Sequence, residues 1–170
     1  MKRSGRTLKQ RLYGLKHIGG YLKRARYFRG HGVHSPYIYS IVRQVFMHRE
    51  LSGDSREIYD ALIAKGISRR RATELQNLAT HCGYESWSID SRNESAMIIL
   101  TTATHADELA RYVEYAKSAG ITLVVMHPYH TAERWGACRE LIEAHPSTTV
   151  DNRAYLIFFN NHLPKQRFTL

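Results

Sequence analysis

An α/β fold with a mostly parallel sheet is predicted by two observations on this sequence, and a third adds a basic helical region ahead of it. From residue 84 onward, short apolar runs alternate with amphipathic segments in the order strand, helix, strand, helix, strand. Parallel strands joined by helical crossovers require that order. Two of the runs, AMIILT at 96–101 and ITLVVM at 121–126, are nearly unbroken, as strands covered on both faces are. The third observation is where the charge lies. Residues 1–50 hold 12 of the 25 Lys and Arg against one acid, Glu50, for a net +11, whereas residues 51–170 hold 13 basic and 14 acidic side chains, for a net −1.

The elements follow from local chemistry. Leu8, Leu12, Leu15, Ile18, Leu22, Ala25 and Phe28 recur in steps of three and four, one face of a basic amphipathic helix. Gly19 and Gly20 interrupt it at about 1 kcal/mol each relative to alanine, so a kink is expected there. His31 lies between glycines in a turn, and Ser35-Pro36 has the form of an N-cap with proline in the first helical position. Ile38, Ile41, Val42, Val45 and Phe46 then line a second helix. A third spans 56–65 and closes at Gly66. A fourth, 69–82, is capped by Ser68, buries Ala72, Leu75, Leu78 and Ala79, and ends at Gly83.

Beyond Gly83, residues 87–90 form a brief strand and 96–101 a buried one. A helix over 107–119 stops at Gly120, and 121–126 is the next buried strand. Another helix covers 131–144, followed by a strand at 155–159 and a short final one at 168–170, with an antiparallel edge expected at that end. The chain divides into a basic helical region, 1–83, and an α/β part, 84–170, packed as one unit. A length of 170 residues suits a single domain, and 43% hydrophobic residues with 2 Trp, 11 Tyr and 5 Phe exclude a disordered chain. No apolar run approaches the roughly 20 residues of a membrane span, and no signal peptide is evident, so a cytoplasmic protein is expected. Cys82 and Cys138 belong to no C-x-x-C pattern and suggest neither a disulfide framework nor a zinc site.

Five phrases in order, HGVHSPYIYSIV, SRRRATELQNLA, MIILTTATHADELARYVEYA, LVVMHPYHTAERWGACRELIEAHPSTTV and AYLIFFNNHLPKQRFTL, resemble a family of class I S-adenosylmethionine-dependent methyltransferases found in Bacteroidota. HGVHSP is the most specific of them. The resemblance covers most of the chain and implies a Rossmann-like methyltransferase sheet, mostly parallel with helices on both faces, here truncated. It also implies a glycine-rich loop after the first strand and an acidic residue after the second to hold the cofactor. Between Cys82 and Thr101 the sequence CGYESWSIDSRNESAMIILT has no G-x-G, and Gly83 precedes any strand. Asp90 is the one acid in a comparable place, and it reads as a turn or cap aspartate.

Where related enzymes carry Asp-Gly-x-His, this chain has Thr102, Ala103, Thr104 and His105. Met126-His127 stands where the resemblance leads one to expect paired aspartates, so the oxygen ligands a hard cation prefers are gone. His105, His127 and His130 collect at the ends of two predicted strands but follow no zinc spacing, and capping or surface roles suit them better. No catalytic, cofactor-binding or metal residue is assigned. The expectation is a degenerate, non-catalytic methyltransferase-like protein that binds a polyanion, RNA foremost, through Lys16, Lys23, Arg24, Arg26, Arg29, His31, His34 and Arg43, with Tyr27 or Tyr37 available for stacking. Two alternatives stand beside it. One is an active enzyme that uses S-adenosylmethionine in an atypical site. The other is a module for a protein partner or a membrane surface, motivated by the basic amphipathic helix.

Overall fold

The computed structural model describes residues 33–160 and 163–170. The helix expected over 8–28 and the turn around His31 lie outside the described residues.

The first described helix, α1 (Pro36–Ile41), starts where the Ser-Pro step predicts. Ser35 has extended backbone, its Oγ accepts the Ile38 N–H at 3.4 Å, and Pro36 occupies the first turn. The helix does not run on as an α-helix. Its continuation, Val42–Phe46, is a π-helical turn whose wider ring closes with Met47 N–H donating to the Val42 carbonyl at 3.0 Å. Helix α2 (Glu57–Ala64) has Glu57 and Asp60 in its first turn, where the helix dipole favours acids, and buries Ile58 and Leu62.

Helix α3 (Arg69–Cys82) buries Ala72, Leu75, Leu78 and Ala79, the face its spacing predicts. Two features differ from expectation. Ser68 stands at the N-cap with extended backbone, but its side chain bonds no helix N–H, so the first turn lacks a side-chain cap. Thr73, Glu74, Gln76 and Asn77 are also buried, and the last three hold groups of neighbouring segments. Asn77 accepts from Ser52 N–H and donates to the Glu50 carbonyl, both at 2.8 Å, and Gln76 accepts from Tyr59 N–H at 3.2 Å. Gly83 ends the helix in the left-handed region, at φ 68°, which glycine adopts without a steric penalty.

Six strands follow: β1 (Trp87–Ile89), β2 (Met97–Leu100), β3 (Thr122–Met126), β4 (Thr149–Asp151), β5 (Tyr155–Phe158) and β6 (Arg167–Thr169). A 3-10 turn (Ala106–Glu108) leads into α4 (Leu109–Ala119), and α5 (Ala132–Ala144) joins β3 to β4. The sheet order is β1-β2-β3-β5-β4-β6. Strands β1, β2 and β3 are parallel, with Met97 beside Trp87 and Thr122, and β6 is parallel to β4. Strand β5 is antiparallel to both β3 and β4. The antiparallel strand is therefore inside the sheet, not at its edge, and β4 was not anticipated. Only three residues, 152–154, separate β4 from β5, a connection that permits only an antiparallel neighbour. Because β5 takes the place beside β3, β4 is displaced outward.

Alternation along the strands splits the interior in two. Met97, Ile99, Val124, Met126, Tyr155, Ile157 and Phe159 pack with Ile38, Ile41, Val45, Leu62 and Leu75 of the first three helices. Ile98, Leu100, Leu123, Val125, Leu156 and Phe158 pack on the other face with Leu109, Val113 and Ala116 of α4 and with Cys138 and Ile142 of α5. The result is three layers, helices on both faces of the sheet. Described residues on either side of position 83 share the first core. Among the described residues no helix is long and apolar enough to cross a membrane.

Candidate functional site

Open α/β sheets place ligands at the carboxyl ends of their parallel strands, and here that rim is built by Asp90, Thr101, Thr104 and Arg134. Asp90 directly follows β1 with φ 53°, a left-handed conformation that aspartate tolerates better than most residues. Its N–H still pairs with the Ile99 carbonyl of β2 at 3.0 Å. One carboxylate oxygen accepts from Thr101 N–H at 2.6 Å and the Thr104 hydroxyl at 2.9 Å, and the other accepts from the Thr101 hydroxyl at 2.7 Å and Lys65 Nζ at 3.3 Å. Burial would raise its pKa, but hydrogen bonds from Thr101, Thr104 and Lys65 outweigh it and hold Asp90 below the usual carboxylate value. The predicted turn aspartate is thus a hub that ties β1 to the end of β2.

Arg134 lies in the first turn of α5, where Thr131 caps the helix by accepting Arg134 N–H at 3.1 Å. Its side chain runs back under the strand ends and is 4% exposed. Nη1 donates to the Thr104 carbonyl at 2.7 Å, and Nη2 donates to the carbonyls of Thr101 and Met126 at 3.0 and 3.2 Å. One guanidinium therefore terminates both β2 and β3. Burial pulls its pKa below the ordinary arginine value, and the Asp90 carboxylate opposes that pull. Its Nε is buried without a hydrogen-bond partner. Farther along the rim, the Tyr129 hydroxyl donates to Asp151 of β4 and its ring stacks on Trp135 with centroids 4.2 Å apart. The rim is one connected set of hydrogen bonds around a buried cation, Arg134, and a bonded carboxylate, Asp90.

A second polar cluster lies on the other side of the sheet. Glu74 of α3 is 2% exposed and accepts from Arg70 Nε at 3.0 Å, Arg71 Nη1 at 2.6 Å and the Tyr155 hydroxyl at 3.0 Å. Arg71 Nη1 also donates to Asn152 Oδ1 at 3.1 Å, and Asn152 Nδ2 donates to the Tyr155 hydroxyl at 3.0 Å. Next to this network a pocket of about 440 Å³ opens between residues 46–49 and the first turn of α3.

Of the cations expected to bind an anion, Lys16, Lys23, Arg24, Arg26, Arg29 and His31 lie outside the described residues, as does Tyr27. His34 and Arg43 are exposed, and Arg43 Nη1 lies 3.9 Å from Met47 Sδ. Tyr37 is engaged elsewhere, edge-on to Phe159 with centroids 5.6 Å apart and its hydroxyl 3.5 Å from Cys82 Sγ. The three histidines do not converge. His105 precedes the 3-10 turn, its N–H held by Glu108 at 3.2 Å, while His127 and His130 share a turn in which His130 N–H donates to the His127 carbonyl at 3.0 Å. Among the described residues no three His, Cys, Asp or Glu side chains gather as a metal would need.

Sequence reasoning passed over Arg134 and the Arg69-Arg70-Arg71 run. Arg134 sits in an ordinary amphipathic pattern and carried no signal. The triple arginine did carry one, because it stands at a helix start, where the dipole favours acids. Comparison of the chain with protein-family models, curated proteins and solved structures gives no match.

Proposed function

We propose that this chain is a shortened, Rossmann-like methyltransferase-type domain without methyl-transfer activity, which binds a polyanion, RNA, through the basic first third of its sequence. The observation that carries the reading is the hydrogen-bonded state of Asp90 and Arg134 at the rim. S-adenosylmethionine would need an acceptor for its ribose hydroxyls and space at the strand ends, and its sulfonium is itself a cation. Here both carboxylate oxygens of Asp90 are bonded, and the Arg134 guanidinium lies under the ends of β2 and β3. Placing a sulfonium beside that buried cation is unfavourable, so these residues do not fit the cofactor. The net +11 of residues 1–50 supports the second half of the reading, since phosphate neutralisation by Lys and Arg is what drives nonspecific nucleic-acid binding. A cytoplasmic location goes with the same reading.

Two titrations test it. Calorimetry of the full chain with S-adenosylmethionine is expected to show no saturable binding, and a micromolar isotherm would overturn the non-catalytic half. Fluorescence anisotropy with a labelled single-stranded RNA across a salt series is expected to show binding that weakens steeply with salt. Retention on anionic vesicles with no RNA binding would favour a membrane-surface module instead.

A further inference from the structure

We infer that the pocket between residues 46–49 and the first turn of α3 seats a phosphate of a single-stranded RNA, with Arg49 and Arg69 as its principal ligands; this rests on the RNA reading above and locates part of that site. His48 and Arg49 line one side, Arg69 and Arg70 the other, and Phe46 and Met47 add apolar surface. Its volume, about 440 Å³, is in the range of small-ligand sites, roughly 300–1,000 Å³.

The charge in this pocket is available. Glu74 also lines it, but its carboxylate is already bonded to Arg70, Arg71 and Tyr155. Among the described residues Arg49 and Arg69 have no ion pair or hydrogen bond from their side chains, and Arg70 uses only Nε, leaving both terminal nitrogens. Arg43 adds a further cation through its contact with Met47, a lining residue. The chemistry favours phosphate over a carboxylate peptide. Several planar guanidinium forks around one small volume match a tetrahedral group with several acceptor oxygens. Phe46, half-buried with its ring 6.2 Å from that of Tyr155, gives a neighbouring base a face to stack on. Sequence order points the same way: residues 1–32 contain ten Lys and Arg and no acid, and they shortly precede the pocket.

The experiment is anisotropy with a labelled single-stranded RNA 12-mer over a potassium chloride series, using the full chain, the Arg49→Ala/Arg69→Ala double variant, Arg69→Glu, and Arg139→Ala at an exposed position of α5 across the sheet. Both altered arginines are exposed and unpaired, so circular dichroism and the melting temperature are expected to be unchanged; Arg69→Glu serves if the double variant misfolds. A decrease of at least about 10-fold in affinity is expected for the pocket variants. The slope of log affinity against log salt should flatten by about 0.7 for each phosphate that is no longer neutralised, with Arg139→Ala indistinguishable from the parent. RNA binding by the parent that is unchanged in affinity and slope in both pocket variants would overturn the pocket while leaving the RNA reading intact. No RNA binding by the parent would overturn both.

Discussion

His145 shows how much one residue can tie stability to pH. It follows α5, is 2% exposed, donates from Nε2 to the Phe159 carbonyl at 3.2 Å and sets its ring edge-on to Phe158. Nδ1 is buried with no partner. Burial pushes its pKa below the ordinary histidine value, and Lys117 and Lys165 add to this against the pull of the Phe159 carbonyl. The neutral form is thus favoured by the fold, and the unfolded chain takes up the proton first as pH falls. Stability should be full above about pH 6.5 and decline below it until the folded-state value is reached, by at most about 1.4 kcal/mol per pH unit. His145→Gln keeps an amide donor for Phe159 and removes the titration. Urea unfolding at pH 7.5 and pH 5 should therefore show a smaller pH difference in the variant, and equal differences would refute the assignment. The pattern EAHPST identified the end of a helix; nothing in it indicated that this histidine is enclosed.

At the scale of elements, Arg134 fastens α5 to two strands. Replacing it with methionine preserves bulk but leaves the carbonyls of Thr101, Thr104 and Met126 without their donor. The expected cost is about 3 kcal/mol by urea denaturation, with Arg134→Lys intermediate because a point ammonium cannot span three acceptors; a decrease under about 1 kcal/mol would show that water replaces the guanidinium. Elements with strong periodicity or unbroken apolar runs were legible in the sequence: α2 through α5, β2, β3 and β5. Strand β4 was not, because TVD offers one apolar side chain, and its strand character comes from pairing with β5 and β6. The π-helical turn at 42–46 was hidden as well, since its apolar spacing also fits an α-helix.

For the whole molecule, the two cores share one sheet, so they should unfold together. Trp87 packs against the first and Trp135 against the second, which supplies a probe for each. Single-tryptophan variants made with Trp87→Phe and Trp135→Phe should report the same urea midpoint, and distinct midpoints would mean that the layers melt independently. The alternation of strands and helices predicted layers but not the strand order, which depends on how a short connection turns the chain. The rim was less legible than the fold. Asp90 and Thr101 are eleven positions apart, and Arg134 meets them only through the crossover, so no local spacing encodes the contact.

Both outer strands, β1 and β6, are only three residues long, and β6 carries Arg167, bonded to Glu143 at 3.0 Å. A polypeptide arriving at either border would find a ladder of only a few rungs, too short to template further pairing, with a charged side chain at one of them. The sheet thereby limits its own lateral growth, which protects an apolar, six-stranded core from edge-on polymerisation.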